Sequence, residues 1–225
     1  DELERIIRAQ QITEQALLTA LAEFTPGQTE RTLARRLDQA MLEHGADRPA
    51  FPTIVASGPN AALPHHTPGD RSIAPGETVV IDMGAMVDGY CADLTRTVWF
   101  GELPSEAEYA FTVVLQALEA VERQLHAGMT GKAADGIARE HIAAAGYGEA
   151  FTHSLGHGVG VRVHEGPALS PRNEEPLPAG SVVTLEPGIY RPGQFGIRIE
   201  DLVVIEPDGL RILTTVPKRI TLPLA

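Results

Sequence analysis

The sequence predicts an α+β protein built from two similar halves, each with two helices followed by strands that form a hairpin. Two observations support this prediction: the order of helical and extended patterns repeats after roughly a hundred residues, and glycines recur at matching intervals. Gly27 to Gly45 and Gly128 to Gly146 each span 18 positions. We therefore expect a pseudo-twofold arrangement of helix-helix-strand-hairpin units around a curved antiparallel sheet, with the helices outside.

The first half opens with an amphipathic helical pattern over residues 2–24, in which apolar side chains recur at helical spacing. After a Pro-Gly break, Thr29 is the expected N-cap of a second helix and Gly45 its expected C-terminal stop. A strand is expected over residues 77–82. The order helix, helix, strand thus precedes the first hairpin.

The second half repeats this order. A long helix is expected after Ser105, with Glu108 completing a capping box, and a shorter helix is expected between Gly128 and Gly146. The next strand ends at Glu186, six positions after Gly180, just as Asp82 follows Gly76 by six positions. Matching intervals in both helices and strands favour a duplicated fold.

Composition limits the possible functions. A formal net charge of −12 argues against nucleic acid or an anionic membrane as a partner, because either would need a basic face. The single cysteine cannot form an intrachain disulfide, so a reducing cytoplasm is the expected compartment. We expect one compact catalytic domain spanning residues 1–225.

Four acidic residues lie at corresponding places in the two hairpin-like segments: Asp82, Asp93, Glu186 and Glu200. An isolated acid in a strand is usually solvated on an outer face. The apolar residues that flank these four and their matched positions in the repeat argue against that interpretation. Because buried carboxylates repel one another, the pattern predicts bound divalent cations between them.

The turns predict how the carboxylates pair. Asp82 and Asp93 flank the turn signal Asp88-Gly89, and the other two carboxylates are centred on Gly193. We therefore expect the members of each pair to lie nearly opposite one another across two strands, at roughly 5 Å between Cβ atoms.

Histidines between and before the hairpins are candidate ligands or substrate contacts. His157, within a glycine-rich loop, is the best candidate for a metal ligand, because the glycines let backbone approach a bound group closely. His164 follows seven positions later, and His65 lies in a proline-rich loop. For these two, a surface position is the alternative. Oxygen donors with one imidazole favour Mn²⁺, Co²⁺ or Zn²⁺ in a two-metal site.

Six motifs carry a family resemblance: Ile81-Asp-Met-Gly-Ala85, Asp93-Leu-Thr-Arg-Thr97, His153-Ser-Leu-Gly-His-Gly-Val-Gly160, Val163-His-Glu-Gly-Pro167, Glu186-Pro-Gly-Ile-Tyr190 and Gly196-Ile-Arg-Ile-Glu-Asp201. Together they resemble the motifs of the Xaa-Pro peptidases in the pita-bread metallopeptidase family. The similarity covers essentially the whole chain and implies the pita-bread fold.

The resemblance also implies a set of site residues. Five would be the ligands of a dinuclear centre, with Asp93 and Glu200 bridging the metals: Asp82, Asp93, His157, Glu186 and Glu200. Two divalent ions are implied, with Mn²⁺ the expected metal and Co²⁺ or Zn²⁺ as alternatives. His65, His153 and His164 match histidines that contact substrate, and Arg198 matches an arginine behind the ligands. Glu186, His164 and His65 are the implied catalytic residues.

The implied reaction is hydrolysis of the Xaa-Pro bond at the N-terminus of dipeptides or short peptides, as in prolidases. Glu186 would shuttle a proton to the leaving proline nitrogen, and Arg198 is expected to hold Glu200 or a substrate carboxylate. An Xaa-Pro aminopeptidase on longer peptides, or a catalytically silent peptide-binding or protein-binding relative, are the alternatives. The N-terminal domain usual in this family is not in the sequence, which leaves a homodimer and control of substrate length open.

Overall fold

A computed structural model describes residues 1–223 and confirms the predicted order of helices. The helices are α1 (Glu2–Ala22), α2 (Glu30–Glu43), α3 (Ser105–Glu122) and α4 (Gly131–Ala144). Thr29 caps α2 by accepting from the backbone N–H of Thr32 at 3.1 Å, as predicted, and Gly45 follows its end with a φ of +99°. Among residues 1–223, no helix combines the length and apolar character needed to cross a bilayer.

The predicted capping box at the start of α3 was wrong. The helix begins at Ser105 itself, Pro104 occupies the N-cap position, and no side chain caps the helix end. Glu108 instead pairs with Arg219 at 2.7 Å. A capping box needs the serine at the N-cap position, and Ser105 is already the first helical residue, so its hydroxyl cannot fill that role.

The described residues also form fourteen strands and two short 3₁₀ turns, at residues 58–62 and 148–150. The strands of the first half, between α2 and α3, are β1 (Arg48–Pro49), β2 (Ile54–Ser57), β3 (Val79–Met83), β4 (Ala85–Val87), β5 (Tyr90–Cys91) and β6 (Leu94–Phe100). Those of the second half are β7 (Gly156–Gly158), β8 (Glu165–Leu169), β9 (Val182–Leu185), β10 (Gly188–Arg191), β11 (Phe195–Arg198), β12 (Asp201–Glu206), β13 (Gly209–Ile212) and β14 (Ile220–Leu222).

Two larger strand groups reflect the two halves. One has the order β14-β6-β3-β2 and the other the order β13-β12-β9-β7-β8, while β1-β4-β5 and β10-β11 form smaller groups. Among the strands of residues 1–223, all pairings are antiparallel except β14 with β6, which is parallel. Each half has its own apolar core: α1 and α2 pack on the first group, and α3 and α4 pack on the second.

The two halves meet where β6 approaches the start of β12. The backbone N–H of Glu200 donates to the carbonyl of Thr95 at 3.1 Å. Arg96, 1% exposed, donates to the Glu200 carbonyl and pairs with Asp201 at 2.8 Å. A buried guanidinium that meets both a carboxylate and backbone carbonyls holds the two halves in fixed register.

The first hairpin departs from the predicted pairing. Asp82 lies opposite Thr95, so Asp93 is two positions out of register and precedes β6. The Asp88-Gly89 turn, with φ of +51° and +81°, closes the tip of this hairpin as expected, where β4 and β5 pair in the same register as β3 and β6. Asp82 lies six positions before Asp88, whereas Asp93 lies only four positions after Gly89, so the two carboxylates are diagonal neighbours and the expectation that they lie nearly opposite one another was wrong.

Candidate metal centre

Three carboxylates from the two halves converge at the junction. Asp82 lies near the end of β3, Asp93 directly before β6, and Glu200 directly before β12. One oxygen from each lies within 4.8 Å of the others. The second hairpin, unlike the first, follows the predicted pairing, because Leu185 pairs with Asp201 and thereby sets the neighbouring Glu186 beside Glu200. Duplication of the fold thus brings acids distant in sequence to one point.

His157 and Glu186 complete the group. His157 Nε2 lies 3.3 Å from Glu186 Oε1 and 3.7 Å from Asp93 Oδ2. The histidine lies on β7 between two glycines, and a Cβ at Gly156 would come within 2.0 Å of the Thr184 carbonyl oxygen. Glycine is therefore required beside the imidazole, since any other residue would push β7 away from β9.

The carboxylates are held where ionisation is costly. Burial raises the pKa of Asp93 well above its usual range, and the charges of Glu200 and Asp82 raise it further. Burial likewise raises the pKa of Glu200, with Glu186 and Asp82 adding to the shift. In Glu186 burial acts to raise the pKa, but the hydrogen bond to His157 together with the charges of His153, His157 and Arg198 outweighs it, so the pKa of this carboxyl is lowered. The group has more negative charge than its own side chains offset.

Two oxygens in the group have no hydrogen-bond donor. Asp82 Oδ1 and Glu200 Oε1 are buried and lack a hydrogen-bond partner within residues 1–223. A buried carboxylate oxygen without a donor is costly unless a cation lies against it. Carboxylate oxygens with one imidazole nitrogen are donors that suit divalent ions such as Mn²⁺, Co²⁺ and Zn²⁺. The five predicted ligands could therefore hold metal at this point.

Arg198 is buried behind the ligands and is paired with Asp82, not with Glu200. Its Nη2 donates to Asp82 Oδ2 at 2.6 Å, its Nη1 to the Tyr190 hydroxyl at 2.9 Å, and its Nε to Thr95 Oγ1 at 3.1 Å. The Tyr190 hydroxyl also lies 2.8 Å from His153 Nε2. The expectation that Arg198 holds Glu200 or a substrate carboxylate was therefore wrong, because its carboxylate partner is Asp82. Its donors are used within the chain instead of pointing at a substrate carboxylate.

The three outer histidines line a cavity of about 590 Å³ above the carboxylates. The ring centroid of His164 lies 4.1 Å from that of His157, while His65 reaches the cavity from the loop after β2. Burial lowers the pKa of His153, and burial together with His157 lowers that of His164. Both rings are thus largely neutral at pH 7. Both nitrogens of His153 are bonded, to Ser154 and Tyr190.

Sequence reasoning gave no role to Tyr190, which the structure places at the centre of this network. Burial raises the pKa of its hydroxyl to about 12, so the group stays protonated and joins Arg198 to His153. The residue was visible at the end of the motif Glu186-Pro-Gly-Ile-Tyr190, but a tyrosine in a strand is usually a packing residue. The position of Tyr190 between Arg198 and His153 is evident only from its hydrogen bonds in the folded chain.

Comparison with known proteins gives the family. A sequence model described as metallopeptidase family M24 matches residues 4–207. The chain belongs to metallopeptidase family M24. A Xaa-Pro dipeptidase of Pyrococcus furiosus is 44% identical over 95% of this chain and 62% of its own length. An uncharacterized peptidase of Bacillus subtilis, YqhT, is 43% identical over 98% of this chain and 62% of its own length.

Solved structures of family members agree with the fold. The X-Pro aminopeptidase of Thermotoga maritima has a TM-score of 0.96 at 47% identity, over 99% of this chain and 63% of that one. The prolidase of Pyrococcus furiosus has a TM-score of 0.94 at 43% identity, over 96% and 64%. The fold is thus the pita-bread fold of these M24 enzymes. This chain spans about three fifths of the length of its relatives.

Proposed function

We propose that residues 1–225 form the catalytic part of a two-metal M24 peptidase that hydrolyses the Xaa-Pro bond at the N-terminus of dipeptides or short peptides. The observation on which this rests is the convergence of Asp82, Asp93 and Glu200, with oxygens within 4.8 Å of one another, at the base of a cavity lined by histidines. Relatives at 43–44% identity bear the name Xaa-Pro dipeptidase.

The proposed ligands are the five predicted ones, with Asp93 and Glu200 bridging: Asp82, Asp93, His157, Glu186 and Glu200. M24 membership implies divalent metal ions, and Mn²⁺ is the metal we propose, with Co²⁺ or Zn²⁺ as alternatives. When bound, the two ions would supply a water of lowered pKa and polarise the scissile carbonyl. Asp82 Oδ1 and Glu200 Oε1, for which the described residues provide no donor, support this assignment.

The surrounding side chains have complementary proposed roles. Glu186 keeps a lowered pKa through the hydrogen bond to His157 and the charges of His153, His157 and Arg198, so it is ionised and able to accept a proton and pass it to the leaving proline nitrogen. His164 and His65, which line the cavity, would donate hydrogen bonds to the substrate carbonyl or the region of the proline ring. His153 is proposed to contact substrate by the part of its ring that faces the cavity.

Arg198 is proposed to maintain metal affinity through Asp82. Burial raises the pKa of Asp82, and the adjacent guanidinium counteracts part of this shift. Replacing Arg198 by Gln is expected to weaken Mn²⁺ binding by about 10- to 100-fold, measured by titration calorimetry, because Asp82 would then hold its proton more tightly. Tyr190→Phe keeps the guanidinium and is the matched control. Unchanged affinity in the arginine variant would contradict this role.

The function itself is tested by hydrolysis assays. Protein loaded with Mn²⁺ is expected to cleave Xaa-Pro dipeptides and to leave an Xaa-Ala dipeptide largely intact. Rates on longer peptides that begin Xaa-Pro separate a dipeptidase from the alternative aminopeptidase, an activity that the Thermotoga maritima relative has in its name. The absence of cleavage in fully loaded protein would contradict the proposal and favour the silent binder.

Assembly and location complete the proposal. A proline-containing peptide is the proposed partner, in line with the names of the relatives. We propose a homodimer as the assembly, which size-exclusion chromatography with light scattering would test. A single cysteine, Cys91, which is buried and forms no disulfide, supports the cytoplasm as the proposed compartment.

A further inference from the structure

Glu30 is a fully buried carboxylate outside the metal centre. It is the first residue of α2, directly after the N-cap Thr29, and its side chain is 0% exposed. A carboxylate at this depth is costly unless donors surround it. The donors that surround it therefore show what it does in the fold.

Five hydrogen bonds reach Glu30 from one loop, residues 57–69. Oε1 accepts from the backbone N–H of Ser57 at 2.8 Å, from its hydroxyl at 2.8 Å and from Asn60 Nδ2 at 3.0 Å. Oε2 accepts from the backbone N–H of Gly69 at 3.2 Å and contacts His66 Nε2 at 2.8 Å. Both oxygens are thus used by the two ends and the middle of the same loop.

The same loop carries His65 into the cavity of the metal centre. His65 follows Pro64, whose carbonyl lies 3.5 Å from Arg198 Nη1, and precedes His66, which contacts Glu30. The loop begins at the end of β2, and β2 pairs with β3 so that Ile54 lies opposite Asp82. Glu30 therefore contacts the loop that forms this part of the cavity wall. Its partner His66 is adjacent in sequence to His65, which lines the cavity.

A buried acid in the second half has a comparable arrangement. Asp135 on α4, 1% exposed, accepts from the backbone N–H of Leu155 at 3.0 Å. Its partner Arg139 donates to the carbonyl of His153 at 2.8 Å. In each half, a carboxylate on the second helix thus fixes the segment that presents a histidine to the cavity.

We propose that Glu30 is a positioning residue that sets the location of His65 in the cavity through the loop 57–69. The kinetic part of this inference rests on the proposed peptidase function, whereas the structural part does not. A carboxylate is needed because both of its oxygens accept and neither donates. Four of its five partners are N–H or O–H donors of Ser57, Asn60 and Gly69, and the fifth is the ring nitrogen of His66. An amide would turn one acceptor into a donor facing other donors.

The structural test is hydrogen exchange in the Glu30→Gln variant without metal. Amides of residues 57–69 are expected to exchange about tenfold faster or more than in the unsubstituted protein, because the loop loses its acceptors, while α3 and α4 keep their protection. Glu14→Gln is the matched control: Glu14 is also buried, but it accepts from Thr215, far from this loop in sequence. It should leave exchange in residues 57–69 unchanged.

The kinetic test is a double-mutant cycle with His65→Ala on a Xaa-Pro dipeptide. Glu30→Gln alone is expected to lower kcat/KM about 10- to 100-fold. In the His65→Ala background the same change should lower it no more than about twofold, because the group it positions is gone. A loss of thermal stability alone would be equal in both backgrounds. Glu14→Gln should have the same small effect on kcat/KM in both.

The outcomes separate this proposal from the proposed function. Unchanged exchange in residues 57–69, or a full kinetic loss on top of His65→Ala, would overturn the positioning role. Should the unsubstituted protein cleave no Xaa-Pro peptide, the function fails, and the exchange result alone decides the role of Glu30. Should Glu30→Gln fail to fold, Asn60→Ala removes one of the five hydrogen bonds and is expected to show the same coupling at a smaller size.

Discussion

Replacing Glu200 by Ala, or Asp93 by Ala, is expected to lower kcat/KM on a Xaa-Pro dipeptide by roughly 10³-fold or more, because either change removes a proposed bridging ligand. Each side chain contributes one of the oxygens that converge within 4.8 Å. The measurement is a hydrolysis assay at saturating Mn²⁺. Glu206→Gln, at the exposed end of β12, is the matched control and should keep full activity.

Substitution of Glu200 is also expected to change thermal stability, and the sign of that change depends on whether metal is bound. Without metal, Glu200→Gln is expected to raise Tm, since it removes one charge from a buried group of repelling carboxylates while the amide oxygen can still accept from Thr95. With saturating Mn²⁺ the variant should have a lower Tm than the unsubstituted protein. Full activity in Asp93→Ala or Glu200→Ala, or the same order of Tm values in both conditions, would exclude the bridging assignment.

Metal loading is expected to raise the stability of the folded chain by several kcal/mol. Each site adds about 2.7 kcal/mol when the free ion is at about 100 times Kd. For a protein of this size, two sites correspond to a rise in Tm of roughly 10–20 °C. Differential scanning fluorimetry with Mn²⁺ and with a chelator measures the difference. A shift near zero with bound metal verified would contradict the interpretation that cations compensate these carboxylates.

The effect of metal should also grow with pH. Because the pKa values of Asp93 and Glu200 are raised in the folded state, the metal-free folded chain binds more protons than the unfolded chain above the ordinary carboxyl pKa. The raised pKa of His157 acts in the same direction. Metal-free stability is therefore expected to fall between about pH 5 and pH 8, while metal, which replaces these protons, reverses the trend. Urea unfolding across that range tests the sign.

Much of this site could be predicted from the sequence. The helix ends were predictable from Thr29 and Gly45, because capping and left-handed glycines act over a few neighbouring residues. The five candidate ligands were predictable from their motifs, and the structure brings them to one place. The capping box at Ser105 was wrong because Ser105 is the first helical residue and Pro104 occupies the N-cap position.

Other features required the folded chain. The turn at residues 88–89 was identified correctly, but the register across it, which sets Asp82 opposite Thr95 and not Asp93, was known only from the paired strands. Glu30 resembled an ordinary acid in the first turn of a helix, where a negative charge is common. Its role depends on donors 27–39 residues later in the chain, which no local pattern reveals.

The sequence by itself determined the duplicated α+β architecture, the helix limits and the residue types available for metal binding, because periodicity, caps and motifs are local properties of the chain. Tertiary structure alone decided which groups are partners. Arg198 meets Asp82 across 116 positions, and Thr95 meets Glu200 across 105. Such pairs depend on how the halves pack and which side chains are buried together, so they arise only when the chain closes around the site.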